Sequence, residues 1–300
     1  MIYTLTLSPS IDYYVLLENL YKGKVNRSKT EYVRVGGKGI NVSKILKELD
    51  IDSIPVIFTA GFTKDKILED LNNSKLSYHE ISVGGMNRIN VKIAAQEETA
   101  INTNGLYINN EKIQELLEYL KNLQDGDYLV LSGSIPNGVD KNVYKKIVSV
   151  VAEKDIKVIV DAEKELLLGT LSYHPYLIKP NLEELEQIAG RSLPTEADIY
   201  NEACKLIEKG ALNVLVSLGE KGILYVSSDL SKTYLPSIDV NVINTTGAGD
   251  SLVAGVLAGV VQNKSLINSL KLGLACACAT VESGHLANRY FIDQKLNLIK

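Results

Sequence analysis

The chain has 300 residues, 45% of them hydrophobic and 23% charged, with a net charge of −4. That is ample apolar material for one large packed α/β domain, and it excludes a disordered chain. The mild acidity argues against a nucleic-acid partner but leaves room for local basic pockets that take anionic small molecules.

In chain order, Ile2 to Leu7 alternates apolar and hydroxyl residues and stops at Pro9, which predicts a strand. The opening MIYTLTLSPSIDYY has no basic region or cleavage site and reads as strand and turn, not as a signal peptide. Ile40, Val42, Ile45, Leu46 and Leu49 recur at helical spacing. A short strand at Pro55 to Phe58 precedes a helix at 64–71. RINVKIAA and ETAI, within 78–101, read as short antiparallel strands forming a flap.

From about Ile108 strands and helices alternate: EKIQELLEYLKNL and VYKKIVSVVAEK as helices, YLVLS, IKVIVD, YLIKPN and VLVSLG as strands. Thr195 can cap a helix running to Gly210. The last elements are helices at about 248–261 and 266–281. Such alternation implies a parallel sheet covered on both faces, with ligands at the carboxyl ends of the strands. The apolar run after Asp250 is shorter than the ~20 residues a bilayer requires, so its GxxxG at Gly255 and Gly259 predicts close helix packing rather than membrane dimerisation. Cys204, Cys276 and Cys278 form no disulfide framework, which predicts a reducing, cytoplasmic setting, and Cys276 and Cys278, two apart in a helix, read as small core residues rather than a metal site. His79, His174 and His285 lack ligand spacing and read as surface or capping residues.

Four stretches carry candidate chemistry. In NTTGAGDS, Gly247 and Gly249 let successive amides point into one concavity, and the following helix adds its positive end. A lone aspartate there would by default be a helix-favouring acid. A carboxylate beside an amide nest made for phosphate oxygens needs a further reason, and accepting a proton from an attacking hydroxyl is one. GGKGINVS fits neither a Walker A loop nor a dinucleotide fingerprint, but Lys38 and Asn41 rim a glycine turn that can hold a polar ligand. In KPNLEELE, Asn181 as helix cap with Glu183 and Glu184 in the first turn is the simpler explanation; Asn181 and Glu184 could also orient waters around magnesium. SLGEKG alone is only a turn. Arg27, Arg88 and Lys92 are basic residues near the flap, each alone a solvated charge and together a possible phosphate clamp.

TLSPSIDYY, GGKGINVS, RINVKI, LSGSIP, LIKPNLEELE, VSLGEKG and NTTGAGDS occur in this order over almost the whole chain. The combination resembles the ribokinase-like (PfkB) family of sugar kinases, and within it the bacterial 1-phosphofructokinase branch, with tagatose-6-phosphate kinases as close sister. The resemblance implies a three-layer α/β/α sandwich over residues 1–300 with lid strands inserted at about 11–36 and 85–101, often paired into a homodimer. It implies ATP and Mg2+ and a phosphorylated ketohexose acceptor, fructose 1-phosphate above all. Asp250 would be the catalytic base, with the amides of Gly247, Ala248 and Gly249 as the anion hole. Asp12, Gly37, Lys38, Asn41 and Ser134 would contact the sugar, and Arg88, Arg27 and Lys92 its phosphate. Lys179, Asn181, Gly249 and the loop Ser217, Leu218, Gly219, Glu220, Lys221 and Gly222 would hold ATP, and Glu184 would hold magnesium through water.

Ser8 stands where the family usually has asparagine, Ala60 replaces one of a usual glycine pair, Ala100 stands where an acidic residue is common, and TNGL lacks the usual proline. These departures bear on the choice among fructose 1-phosphate, fructose 6-phosphate and tagatose 6-phosphate. A catalytically silent sugar-phosphate sensor would be expected to have lost the base or the anion hole, and both are present.

Overall fold

Short runs that are apolar on both faces become central strands, because a strand covered by helices on each side exposes neither set of side chains. In the computed structural model, which describes residues 1–299, the elements run β1 (Ile2–Thr6), β2 (Ser10–Leu16), β3 (Thr30–Gly36), α1 (Lys38–Glu48), β4 (Ser53–Thr59), α2 (Thr63–Asn73), β5 (His79–Ser82), β6 (Arg88–Ala94), β7 (Glu98–Ile101) and α3 (Asn110–Leu120). They continue with β8 (Tyr128–Ser132), α4 (Val143–Val151), β9 (Lys157–Asp161), α5 (Lys164–Leu168), β10 (Leu177–Ile178), α6 (Leu182–Ala189) and α7 (Glu196–Glu208). The last are β11 (Asn213–Ser217), β12 (Ile223–Ser227), β13 (Lys232–Leu235), α8 (Ala248–Val261), α9 (Leu266–Ser283) and α10 (Arg289–Leu298).

Nine strands form one sheet in the order β13-β12-β11-β10-β9-β8-β1-β4-β5. Alternate residues of each strand serve two cores. Leu129 and Leu131 join the apolar layer of α3, α4, α6 and α7, while Val130 joins that of α1, α8, α9 and α10. The chain is thus the expected three-layer α/β/α sandwich. Thr195 caps α7 through Asp198 N, as anticipated. Gly255 and Gly259 bring α8 onto α9: a Cβ at Gly255 would lie 2.7 Å from Gly273 Cα, and one at Gly259 2.6 Å from Ser269 Cα. No helix among the described residues is long and apolar enough to cross a membrane.

Three expectations need correction. The segment 78–101 is antiparallel only in part: RINVKIAA and ETAI pair antiparallel as β6 and β7, but β5 extends the main sheet parallel to β4, and β6 pairs parallel with β2. The main sheet is not wholly parallel either, because β12 and β13 add an antiparallel edge. Gly222 makes that reversal, with φ +98° and a position where a Cβ would meet Leu235 O at 2.1 Å, so a loop motif conceals the hairpin behind it. The strand expected over YLIKPN shrinks to two residues, since Pro180 has no N–H to donate. Helix α10 was not anticipated.

The second sheet, ordered β3-β2-β6-β7, rises from the carboxyl edge of the first. Ile11, Val35 and Ile89 anchor its base on Ile40, Ile57 and Ile67. The opposite side of the same strands carries Asp12, Arg34, Arg88 and Asn90.

Candidate active site

The parallel strands end together, and their last residues are polar. Ser132 closes β8 and Asp161 closes β9 in direct register. Lys179 follows β10, and the N-terminus of α8 faces them. Gly247 caps α8 at φ +84°, where a Cβ would crowd Leu286 Cδ2 at 2.9 Å. This left-handed residue turns the chain so that the first helical amides point outward. No acceptor among the described residues takes the amides of Gly247, Gly249 or Asp250, whereas Ala248 N–H donates back to Thr245 O at 3.2 Å. The nest is therefore built from the glycine and aspartate amides rather than from Ala248.

Asp250 is 5% exposed, and its Oδ2 accepts a hydrogen bond from Asn41 Nδ2 at 2.8 Å. Burial first, and then the nearby charge of Asp161, push its carboxyl up to about 6; Lys38, Asn41 and Lys179 pull the other way without cancelling the rise. A carboxylate poised there is a competent base near neutral pH. Asp161 Oδ1 receives both Lys38 Nζ and Lys179 Nζ at 3.1 Å. Burial alone would raise the Asp161 carboxyl, but the two ammonium groups reverse that and hold it below its ordinary value. Burial would lower the Lys38 ammonium, but Asp161 and Asp250 outweigh it and raise it.

Three cavities surround this point. On one side a polar cavity of about 290 Å³ is lined by Thr6, Ser8, Gly37, Lys38, Arg88, Ser132, Gly133, Ser134, Glu163 and Glu184. Arg88 Nε and Ser132 Oγ are buried there with no hydrogen-bond partner. A neighbouring recess of about 260 Å³ holds Asp12, Arg34, Gly36, Asn41 and Asn244 among its lining. Asp12 is oriented in it by Ser10 Oγ at 3.0 Å and Asn90 Nδ2 at 2.7 Å. On the other side a cavity of about 740 Å³ runs from Asn181 and the loop Ser217, Leu218, Gly219, Glu220 and Gly222 to Ala248, Gly249 and Leu252, with Val240, Val242, Leu274, Ala277 and Cys278 as apolar walls. That size and apolar lining suit a nucleotide.

The site residues expected from the sequence thus divide. Gly37, Lys38, Arg88 and Ser134 share the polar cavity, with Asp12 and Asn41 beside it. Arg27 lies exposed in the loop between β2 and β3 and lines none of these cavities. Lys92 points farther along β6, with Nζ on Asn102 Oδ1 at 3.1 Å. Lys221 lies outside the large cavity, and its carbonyl accepts from Tyr234 Oη at 2.6 Å. Lys179 is drawn under Gly249 instead of into that cavity, its Nζ 3.5 Å from where a Gly249 Cβ would be. Asn181 and Glu184 form a full capping box on α6, Asn181 Oδ1 accepting from Glu184 N at 2.7 Å and Glu184 Oε2 from Asn181 N at 2.8 Å. Capping and site placement coexist, because Asn181 faces the large cavity and Glu184 the polar one. Of the departures, Ser8 lines the polar cavity while Ala60 and Ala100 line none of the three cavities.

Sequence reasoning passed over Asp161, Ser132, Asn90 and the walls Val242, Leu274 and Cys278. A polar residue ending an apolar strand was the available signal for the first two.

The model of the "pfkB family carbohydrate kinase" matches residues 5–290. The 1-phosphofructokinase of Bacillus subtilis is 36% identical over 301 residues, covering 100% of this chain and 99% of that protein. The D-tagatose-1-phosphate kinase of Bacillus licheniformis is 34% identical over 302 residues, covering 100% and 99%. The structure of phosphofructokinase-2 from Escherichia coli in complex with fructose-6-phosphate superimposes with a TM-score of 0.92 at 26% identity, covering 99% and 98% of the two chains. The fold, the two cavities and the glycine-aspartate turn between them belong together: this chain is a member of the pfkB family of carbohydrate kinases.

Proposed function

We propose that the chain transfers the γ-phosphoryl group of ATP to the C6 hydroxyl of fructose 1-phosphate, giving fructose 1,6-bisphosphate and ADP. The carrying observation is the buried Asp250, with its carboxyl pushed up to about 6, next to Gly249 of the nucleotide-sized cavity and hydrogen-bonded to Asn41 of the recess that holds Asp12. Asp250 takes the proton of the C6 hydroxyl as that oxygen bonds to the γ-phosphorus. The bond from the γ-phosphorus to the β–γ bridging oxygen breaks, and ADP leaves with that electron pair. The free amides of Gly247, Gly249 and Asp250 stabilise the charge on the transferring oxygens. Arg88 and Ser134 hold the phosphate already on the sugar, and Asp12 and Asn41 its hydroxyls.

Magnesium fits a sparse donor set. No group of three His, Cys, Asp or Glu among the described residues could hold a metal, and magnesium commonly keeps waters and uses one or two carboxylates with substrate phosphates. Glu184, at the mouth of the polar cavity with Oε2 on Asn181 N–H, is the carboxylate that would hold it through water. Bound there, magnesium neutralises nucleotide phosphate charge.

The Bacillus licheniformis relative supports a second acceptor, tagatose 1-phosphate, which differs from fructose 1-phosphate in configuration at C4. ADP release with magnesium-ATP is to be compared across fructose 1-phosphate, tagatose 1-phosphate, fructose 6-phosphate and tagatose 6-phosphate. The highest kcat/KM is expected for fructose 1-phosphate. A preference for either 6-phosphate would overturn the acceptor, and no turnover would leave the sensor alternative.

A homodimer through the second sheet accompanies this function. Val33, Tyr13, Val91 and Ile101 stand in one cross-strand row, with Val33, Tyr13 and Ile101 41%, 37% and 52% exposed. A second copy would cover this row. Sedimentation showing monomers alone at working concentration would exclude it. Three unbridged cysteines support a cytoplasmic setting.

A further inference from the structure

A carboxylate fully buried beside a site for phosphate works against the ligand unless it organises something else. Asp161 is 1% exposed, and its Oδ1 takes Lys38 Nζ and Lys179 Nζ at equal distances of 3.1 Å while Oδ2 is buried without a partner. The two lysines come from different halves of the site. Lys38 opens α1 and lines the polar cavity. Lys179 follows β10, its side chain 4% exposed, beneath Gly249, which lines the large cavity. No other carboxylate among the described residues forms a salt bridge with either.

We infer that Asp161 is a positioning residue that fixes one ammonium group on the acceptor side and one on the nucleotide side, so that both stand in place before the phosphoryl group passes between them. The inference rests on the kinase activity proposed above. Because both ammonium groups reach one oxygen, they lie no more than about 6 Å apart, where like charges in a buried site repel strongly. Asp161 removes that repulsion and leaves one net positive charge. Groups held in this way need no reorganisation when charge spreads over the transferring oxygens. Asp250 is faced by Asp161 from β9, Lys38 and Asn41 from α1, and Lys179 from the segment after β10.

The test is Asp161→Asn, read by equilibrium binding as well as by rate. ADP is titrated in EDTA, and fructose 1-phosphate in the absence of nucleotide. Both affinities are expected to weaken by about tenfold or more, since Lys38 in the polar cavity and Lys179 beneath Gly249 both lose the carboxylate that fixes them, and kcat is expected to fall by about 10²-fold or more. Asp161→Glu, which keeps the charge on a longer arm, is expected to recover part of both affinities. A folded Asp161→Asn variant that binds both ligands as the wild type does, or that raises only the magnesium requirement, overturns the inference. Should the Asn variant fail to fold, the affinities are read in Asp161→Glu, where they must still weaken together; a change in one alone overturns it. Failure of the proposed function is distinct: it would appear as a wild-type chain that phosphorylates no ketohexose phosphate.

Discussion

The two cavities on either side of Asp250 are built on different principles. The larger one is walled by Val240, Val242, Leu274, Ala277 and Cys278, with the loop from Ser217 to Gly222 along one side. The smaller one is polar and charged: Lys38, Arg88, Ser134 and Glu184 converge on about 290 Å³, and Arg88 Nε and Ser132 Oγ are buried there unpaired. A common donor needs a slot of the right size, whereas a particular sugar phosphate must be told from its isomers, which takes groups that are costly to leave unpaired. On the function proposed above, selectivity resides on the charged side and general nucleotide affinity on the apolar side.

The sharpest way to break this division is Asp250→Asn. The rate is expected to fall by about a hundredfold or more, with ADP affinity unchanged because Asp250 serves the acceptor. The same change is expected to make the protein more stable above pH 6. A buried carboxyl whose value is raised to about 6 favours the folded state when protonated, and that contribution is lost as pH climbs from the ordinary carboxylate range through 6. Thermal melts at pH 8 check this, and a less stable variant would contradict it.

Arg88→Met is expected to raise the acceptor KM by about ten- to a hundredfold, the worth of a charge-assisted hydrogen bond to phosphate, and to leave the KM for ATP nearly unchanged. Equal rises in both would erase the distinction between the cavities. In the wild type, kcat/KM for the acceptor is expected to fall about tenfold per unit as pH drops below about 6, because only ionised Asp250 accepts the proton. ADP affinity in EDTA should show no matching limb. The smallest expected effect is Ala277→Leu, which overfills the apolar cavity. At about 1 kcal/mol of overpacking it should raise the KM for ATP by about fivefold and spare the acceptor.

Much of this was legible from residue types alone. The turn from Gly247 to Asp250 announced itself because only glycine tolerates its conformation and because an acid beside an anion nest calls for a reason. Helix α1 followed from apolar spacing and α7 from the Thr195 cap, and the capping role of Asn181 from its place before Glu183 and Glu184 in the first turn. The hairpin of β12 and β13 was hidden because a glycine turn looks the same whether a strand or a helix follows it. Arg27 and Lys92 looked equivalent to Arg88 because all three are cations near one flap, and only the structure puts Arg27 in an exposed loop and Lys92 four residues farther along β6.

By itself, then, the order of residues determined the local chemistry: which segments turn, which are buried on both faces, and where a carboxylate meets free amides. Those are short-range consequences of backbone sterics and side-chain periodicity. The tertiary structure alone decided that Asp161 holds Lys38 and Lys179 on one oxygen, that Arg88 reaches the polar cavity while Lys92 does not, and that Leu274 and Cys278 wall the large cavity. Each of these joins residues from separate elements, and such meetings depend on sheet order and helix packing, which no single stretch of chain encodes.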